Sequence, residues 1–291
     1  MSLLPRPPDF LCIGAQKAGT TWLATNLRRH PQLWIPPVKA LNYFNDPARL
    51  PNIFRLLRRP DGTKAHHVLA RFRRSPGKVL TGAMGLWYAR FLLCPRTDRW
   101  YASLFAPAGA QVCGEATPAY AQLEEADVAR VRRLAPQARI LYLLRNPVER
   151  AWSQAAMHFE KRGAADLSAV STAELRAFFE KPSVRRHGEY MQTLARWERW
   201  FPAAQLWIGF FDRLQDHPAA FFAEVCRFLG VKDDPASLPP DLETPRNRRP
   251  RAPLPPEIRA DLVRLHGAEI AALHQRFQNA DTARWLESLG G

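Results

Sequence analysis

Only four cysteines occur in the 291 residues, at positions 12, 94, 113 and 226, and no two of them form a C-x-x-C pair. Such spacing gives neither a zinc knuckle nor a disulfide scaffold, and it fits a reducing compartment. Long apolar runs are also missing. None approaches the roughly 20 residues that a membrane-spanning helix requires, and the short run in MSLLPRPPDFLCIGAQ, preceded by prolines and followed at once by Lys17, is no signal-peptide core. The expectation is a cytoplasmic protein without a membrane span. Acidic residues are scarce: 27 Asp plus Glu stand against 42 Lys plus Arg, a net charge of +15 that points to an anionic partner. A hydrophobic share of 46% excludes disorder over most of the chain.

Apolar patterning supplies the architecture. FLCIGA at 10–15 reads as a strand ending in a small-residue turn, and Trp22, Leu23 and Leu27 then recur at helical spacing. RILYLL at 139–144 is a second buried strand, followed by Asn146, Pro147 and a helical pattern to Phe159; QLWIGF at 205–210 is a third. Strands alternating with helices predict an α/β fold: one P-loop-like domain over 1–291, with a central, mostly parallel sheet flanked by helices and ligands at the carboxyl ends of the strands. Between about 47 and 110 the sequence turns Arg- and aromatic-rich, and an inserted, acceptor-facing region of helices and loops is expected there. Proline and arginine dominate 241–256, which excludes regular structure, and a last helix is expected over 257–277.

Two segments carry chemistry. In Gly14-Ala15-Gln16-Lys17-Ala18-Gly19-Thr20-Thr21 two glycines stand five apart between a strand and a helix, the arrangement in which backbone N–H groups wrap a phosphate. A Walker loop places Lys directly after the second Gly. Here Thr20 takes that place, the Lys has moved to 17, and no acidic strand end follows, so the loop suits a phosphate held without magnesium. Alone, so short a motif is more often a turn with a solvated Lys. The second segment is Leu-Leu-Arg145-Asn-Pro-Val-Glu-Arg-Ala-Trp-Ser153, where an Arg leaving a strand and a Ser two turns into the next helix can rise above the same sheet edge as a phosphate clamp.

Together, Q-K-A-G-T-T-W-L at 16–23 and L-L-R-N-P-V-E-R-A-W-S at 143–153 resemble the donor-binding signatures of sulfotransferases that use 3′-phosphoadenosine 5′-phosphosulfate (PAPS). The likeness extends to GEATPAY at 114–120, GEY at 188–190 and FFAEVCRFLGV at 221–231, and it is closer to the heparan-sulfate and bacterial branch than to the branch acting on phenols and steroids. The resemblance implies that Lys17, Ala18, Gly19, Thr20 and Thr21 hold the 5′-phosphosulfate, with Lys17 on the bridging oxygen. It implies that Arg145 and Ser153 hold the 3′-phosphate, and that adenine lies between Trp22 and the segment after Asn247. There Arg248, Arg249 and Arg251 would close over the phosphates. The product would be 3′-phosphoadenosine 5′-phosphate (PAP), and no metal would take part. Read from the residues alone, Lys39 is either a contact to the donor sulfate or an ordinary exposed lysine.

The same resemblance expects a Glu base at the position of Ala40, in Pro-Val-Lys-Ala40-Leu-Asn-Tyr-Phe. Three readings stand: impaired catalysis in a natural or engineered variant, a base elsewhere with Glu115 and His158 as candidates, or an acceptor that needs little help. Glu115 could equally be an acid paired near Thr117, and His158, five residues after Ser153, lies off that helical face. The acceptor is expected to be a carbohydrate or another small hydroxyl- or amine-bearing compound, with Trp87, Tyr88, Trp100 and Tyr101 as either sugar platforms or core. His66-His67 reads as surface. The alternative function is a basic nucleic-acid- or nucleotide-binding protein without transfer activity, suggested by the Arg tracts at 55–59, 71–74 and 246–251. A magnesium-dependent nucleotide kinase is disfavoured by the displaced Lys.

Overall fold

Five short apolar segments pair in parallel at the centre of the chain, in a computed structural model that describes residues 4–46, 49–57, 82–243 and 252–290. They are β1 (Phe10–Gly14), β2 (Leu33–Trp34), β3 (Val112–Ala116), β4 (Arg139–Leu144) and β5 (Leu206–Phe210), in the order β2-β3-β1-β4-β5. Every residue of β1 is buried, and so are all but the first of β4. Helices cover both faces of such a sheet, which is why the central strands read as continuous apolar runs rather than alternating ones. The three strands expected at 10–15, 139–144 and 205–210 are β1, β4 and β5. β3 holds Glu115, and β2, only two residues long, has no period to read. β3 approaches β1 so closely that a Cβ on Gly114 would stand 2.4 Å from the Phe10 carbonyl oxygen, so glycine is required there.

The helices are α1 (Thr20–Leu27), α2 (Asn52–Leu57), α3 (Gly82–Leu93), α4 (Asp98–Ser103), α5 (Glu125–Leu134), α6 (Pro147–Glu160), α7 (Thr172–Phe179), α8 (Pro182–Arg185), α9 (Tyr190–Glu198), α10 (Phe211–Asp216), α11 (Pro218–Leu229), α12 (Pro256–Phe277) and α13 (Ala280–Glu287). α12 is the expected last long helix; α13 follows it, opened by a capping box between Asn279 and Thr282. None of the described helices is long and apolar enough to cross a membrane.

After β1 the chain crosses to β2 on one side, and after β3 it crosses to β4 on the other. The reversal opens a crevice at the carboxyl ends of β1 and β4. The Ala15 amide donates to the Leu143 carbonyl over 2.7 Å, tying the two exit loops together.

Trp87, Tyr88, Trp100 and Tyr101 are core. Each is at most 4% exposed, Trp87 stacks on Phe91 with centroids 5.2 Å apart, and Tyr101 stacks on Tyr43 at 4.6 Å. Their polar atoms are used internally: the Trp87 indole donates to the Leu104 carbonyl and the Trp100 indole to the Arg90 carbonyl. Such satisfied, stacked rings stabilise the fold and leave no face for a sugar. Cys12, Cys113 and Cys226 are buried and unpaired, and burial pushes each thiol up to about 12, which keeps them protonated and inert.

Candidate active site

The loop after β1 is built to present backbone donors. Lys17 and Gly19 both take left-handed backbone, with φ of 74° and 86°. A Cβ on Gly19 would lie 2.9 Å from a Leu214 methyl, so both conformation and space demand glycine. Gly19 is the cap of α1, whose amino terminus has no side-chain cap and no acidic residue in its first turn. Its first amides, at the positive end of the helix dipole, are thus available to an anion. The Lys39 ammonium donates to Thr21 Oγ1 over 2.6 Å, which adds a second lysine beside the loop that carries Lys17. Burial draws the Lys39 pKa below the usual lysine range.

α6 differs. Asn146 caps it from within, accepting from the Val148 amide at 2.9 Å and the Glu149 amide at 3.4 Å, and Pro147 fills its first position. What this segment offers a ligand is therefore side chains. Arg145 Nη1 donates to the Lys17 carbonyl at 3.2 Å, its Nη2 pairs with Glu149 at 2.9 Å, and the guanidinium lies over the Phe211 ring at 4.6 Å. Arg145 Nε and Ser153 Oγ are buried with no hydrogen-bond partner among the described residues. An orphaned buried donor costs about 1–3 kcal/mol, and an anionic oxygen placed against both would recover it. The residues present therefore fit a phosphate there.

Arg150, one turn before Ser153 on the same helix, was not singled out from sequence. It is fully buried, donates to Gln154 Oε1 at 2.6 Å, and keeps two further nitrogens without partners among the described residues. Burial lowers its pKa, with neighbouring Arg145 acting in the same direction. Around it His187 and His266 are held down to about 3, first by burial and then by the Arg150 charge. Both therefore fold neutral but bind protons when unfolded below their ordinary value near 6.5. Stability is expected to be complete above that pH and to fall as the solution is acidified toward about 3. Urea midpoints that decline from neutral to mildly acid pH, and decline less in His266→Gln, check this; an unchanged decline in that variant removes His266 from the account.

The turn expected to carry the base is held by Glu115. This carboxylate is 1% exposed and accepts from the Leu41 amide at 3.2 Å, Thr117 Oγ1 at 2.5 Å, the Tyr101 hydroxyl at 2.6 Å and the Tyr120 hydroxyl at 2.9 Å. Tyr120 in turn accepts from the Tyr43 amide. Burial raises the Glu115 pKa and these donors oppose the rise. With both oxygens engaged, Glu115 ties the turn at 40–43 to Tyr101, Thr117 and Tyr120. Ala40 sits in that turn with φ of 62° and Asn42 with 52°, and the turn holds no carboxylate at position 40.

The structure does not place every expected residue at the crevice. Trp22 is 6% exposed and belongs to the core, with its ring edge-on to Phe221 and Phe222 at 6.3 and 6.0 Å. Arg248, Arg249, Arg251, the His66-His67 pair and the tracts at 58–59, 71–74 and 246–251 lie outside the described residues. His158 lines a cavity of about 340 Å³ together with Gln16, Gln122, Gln154, Lys161 and Lys181. Sequence reading passed over that cavity, although Gln154, His158 and Lys161 are spaced along one helical face.

The profile of the sulfotransferase family matches residues 8–235. Human heparan sulfate glucosamine 3-O-sulfotransferase 6 is 32% identical over 229 residues, covering 78% of this chain and 53% of that protein, so the chain spans about half the length of such relatives. Among solved structures, a sulfotransferase from Alicyclobacillus acidocaldarius superposes with a TM-score of 0.63 at 23% identity, covering 96% of this chain and 98% of the other. Mouse sulfotransferase SULT7A1 complexed with PAP has the same fold, with a TM-score of 0.50 at 13% identity over 99% of this chain and 90% of the other. With its fold shared by these structures and a family profile spanning residues 8–235, the chain belongs to the sulfotransferase family.

Proposed function

We propose that this chain transfers a sulfuryl group from PAPS to a hydroxyl or amine of a carbohydrate or other small acceptor. The observation that carries the reading is the meeting of the two expected phosphate sites at one sheet edge: Arg145 donates to the carbonyl of Lys17 itself. PAPS as donor is supported by the family and by the PAP complex of SULT7A1. A carbohydrate acceptor is supported by the relatives named for heparan sulfate glucosamine. When bound, the donor supplies an activated sulfuryl group whose departure leaves charge on the 5′-phosphate. The chain then has three tasks. The α1 amides and Lys17 stabilise that charge, Lys39 offers a second cation beside Thr21, and Arg145 with Ser153 fixes the far phosphate so that attack is in line.

Titration calorimetry with PAP tests the binding half. Arg145→Ala removes the guanidinium that joins the two sites and is expected to weaken PAP by about 10- to 100-fold, the range of a charge-assisted hydrogen bond. Unchanged affinity in this variant would remove Arg145 from the donor site. DNA binding as tight as PAP binding, and as salt-dependent, would favour the basic nucleic-acid-binding alternative.

A further inference from the structure

Position 40 holds no base and Glu115 is fully engaged, so a proton leaving an acceptor hydroxyl needs another destination. We propose that His158 is the general base of this chain, and that the cavity it lines beside the phosphate loop seats the acceptor. The proposal rests on the sulfuryl-transfer reading and assigns a residue within it.

Placement is the first ground. Gln16, which directly precedes Lys17, forms part of the cavity wall, so the cavity is continuous with the loop that faces the donor. α6 supplies Gln154, Met157 and His158 to it, and the cap residue Lys161 continues the same face, repeating every three to four residues. His158 is five residues from Ser153 and off its face, yet four from Gln154 and on the cavity's. The second ground is orientation. Phe178 packs on the imidazole with centroids 4.7 Å apart and Phe159 stands perpendicular to it at 5.0 Å. Those rings pack against the imidazole, and neither nitrogen has a hydrogen-bond partner among the described residues.

Electrostatics then separates His158 from the other bases at hand. The groups facing it are Lys161 and Arg162 at the end of α6, Lys181 before α8 and His187 across the cavity, and no carboxylate lines the cavity. Burial, followed by Arg162, Lys181 and Lys161, lowers the His158 pKa, so the imidazole is neutral and able to accept a proton at neutral pH. His187 shares the cavity, but burial and then the Arg150 charge hold it down to about 3, too weak a base for the task. Lys39 already donates to Thr21.

In the step, a ring nitrogen of His158 takes the hydroxyl proton as the acceptor oxygen bonds to sulfur. The bond from sulfur to the 5′-phosphate oxygen breaks, and its electron pair stays on that oxygen beside Lys17. His158 is half-buried, so the imidazolium returns its proton to water.

The test uses the full chain with labelled PAPS and two kinds of acceptor: unsulfated glycan oligosaccharides, whose hydroxyls need a base, and p-nitrophenol, which ionises unaided near neutral pH. His158→Ala and His158→Gln are expected to sulfate the oligosaccharide about 10²- to 10⁴-fold more slowly, to sulfate p-nitrophenol within about threefold of the unaltered chain, and to bind PAP unchanged. Added imidazole should restore part of the lost rate in His158→Ala. In the PAP complex, the NMR titration of the signal lost in that variant should share its midpoint, below the ordinary histidine value, with the acid limb of kcat/KM. Ala40→Glu should then add little. Oligosaccharide sulfation that survives in both variants, equal loss with both acceptors, or a gain of orders of magnitude in Ala40→Glu would each overturn the assignment. If the unaltered chain binds PAP but transfers to neither acceptor, the transfer reading itself fails and His158 falls with it.

Discussion

Lys17→Ala is expected to slow sulfuryl transfer by about 10²- to 10³-fold, the loss seen when one preorganised donor to a developing oxyanion is removed. The reason is where the charge appears. Sulfuryl transfer leaves its negative charge on the departing phosphate, and Lys17 is the one cation inside the loop between β1 and α1. The α1 amides remain in the variant, so transfer should fall without vanishing. Folding should not suffer: the residue holds a left-handed φ of 74° with either side chain, and Lys has no conformational advantage over Ala there. Single-turnover rates with labelled PAPS, alongside thermal melts, check both halves. A rate within about threefold of the unaltered chain would remove Lys17 from the leaving group. Loss of rate together with a collapsed melt would point to the loop's structure rather than its charge.

Glu115→Ala should act on the other side of the crevice and chiefly on stability. The carboxylate collects four donors from four places in the chain: the Leu41 amide and the side chains of Tyr101, Thr117 and Tyr120. Truncation leaves all of them in a dry interior, and removing one partner of a buried charged network typically costs about 3–5 kcal/mol, against a total near 5–15 kcal/mol for a domain. Urea denaturation measures it, and a loss under about 1 kcal/mol would show the cluster to be easily rehydrated. Because burial raises the Glu115 pKa, the sign of its pH dependence is that of a carboxyl harder to ionise in the fold. Its contribution is largest below the ordinary carboxylate range and declines as pH rises through the folded value. Glu115→Gln should remove that slope. It should also loosen the Ala40 turn, since the Leu41 amide is one of the four donors.

The fold was readable where burial is continuous. RILYLL and FLCIGA are apolar at every position because helices cover both faces of their sheet, and their limits agree with β4 and β1 to within a residue. β2 went unread because two residues hold no period. The turn after β1 and the place of Arg145 were readable because local sequence dictates them: glycine at a left-handed turn, and arginine where a buried strand ends. The aromatics at 87–101 were ambiguous, since spacing alone does not separate a stacked core from a platform, and their indole partners at Leu104 and Arg90 decided it.

Local sequence was enough for the parallel α/β sheet, the glycine-bearing turn after β1, the arginine after β4 and the missing carboxylate at position 40. These are properties of short stretches, fixed by residue type, turn chemistry and burial over a few neighbours. The surroundings of Glu115 and His158 come instead from tertiary contacts. A carboxylate becomes a positioning group or a base according to which donors surround it, and those of Glu115 come from as far as Leu41, 74 residues away. The walls around His158 are likewise distant in sequence: one of them is Gln16, brought to α6 by the pairing of β1 with β4. Contacts between segments so distant in sequence arise from how the sheet is wound, which no local pattern of residues records.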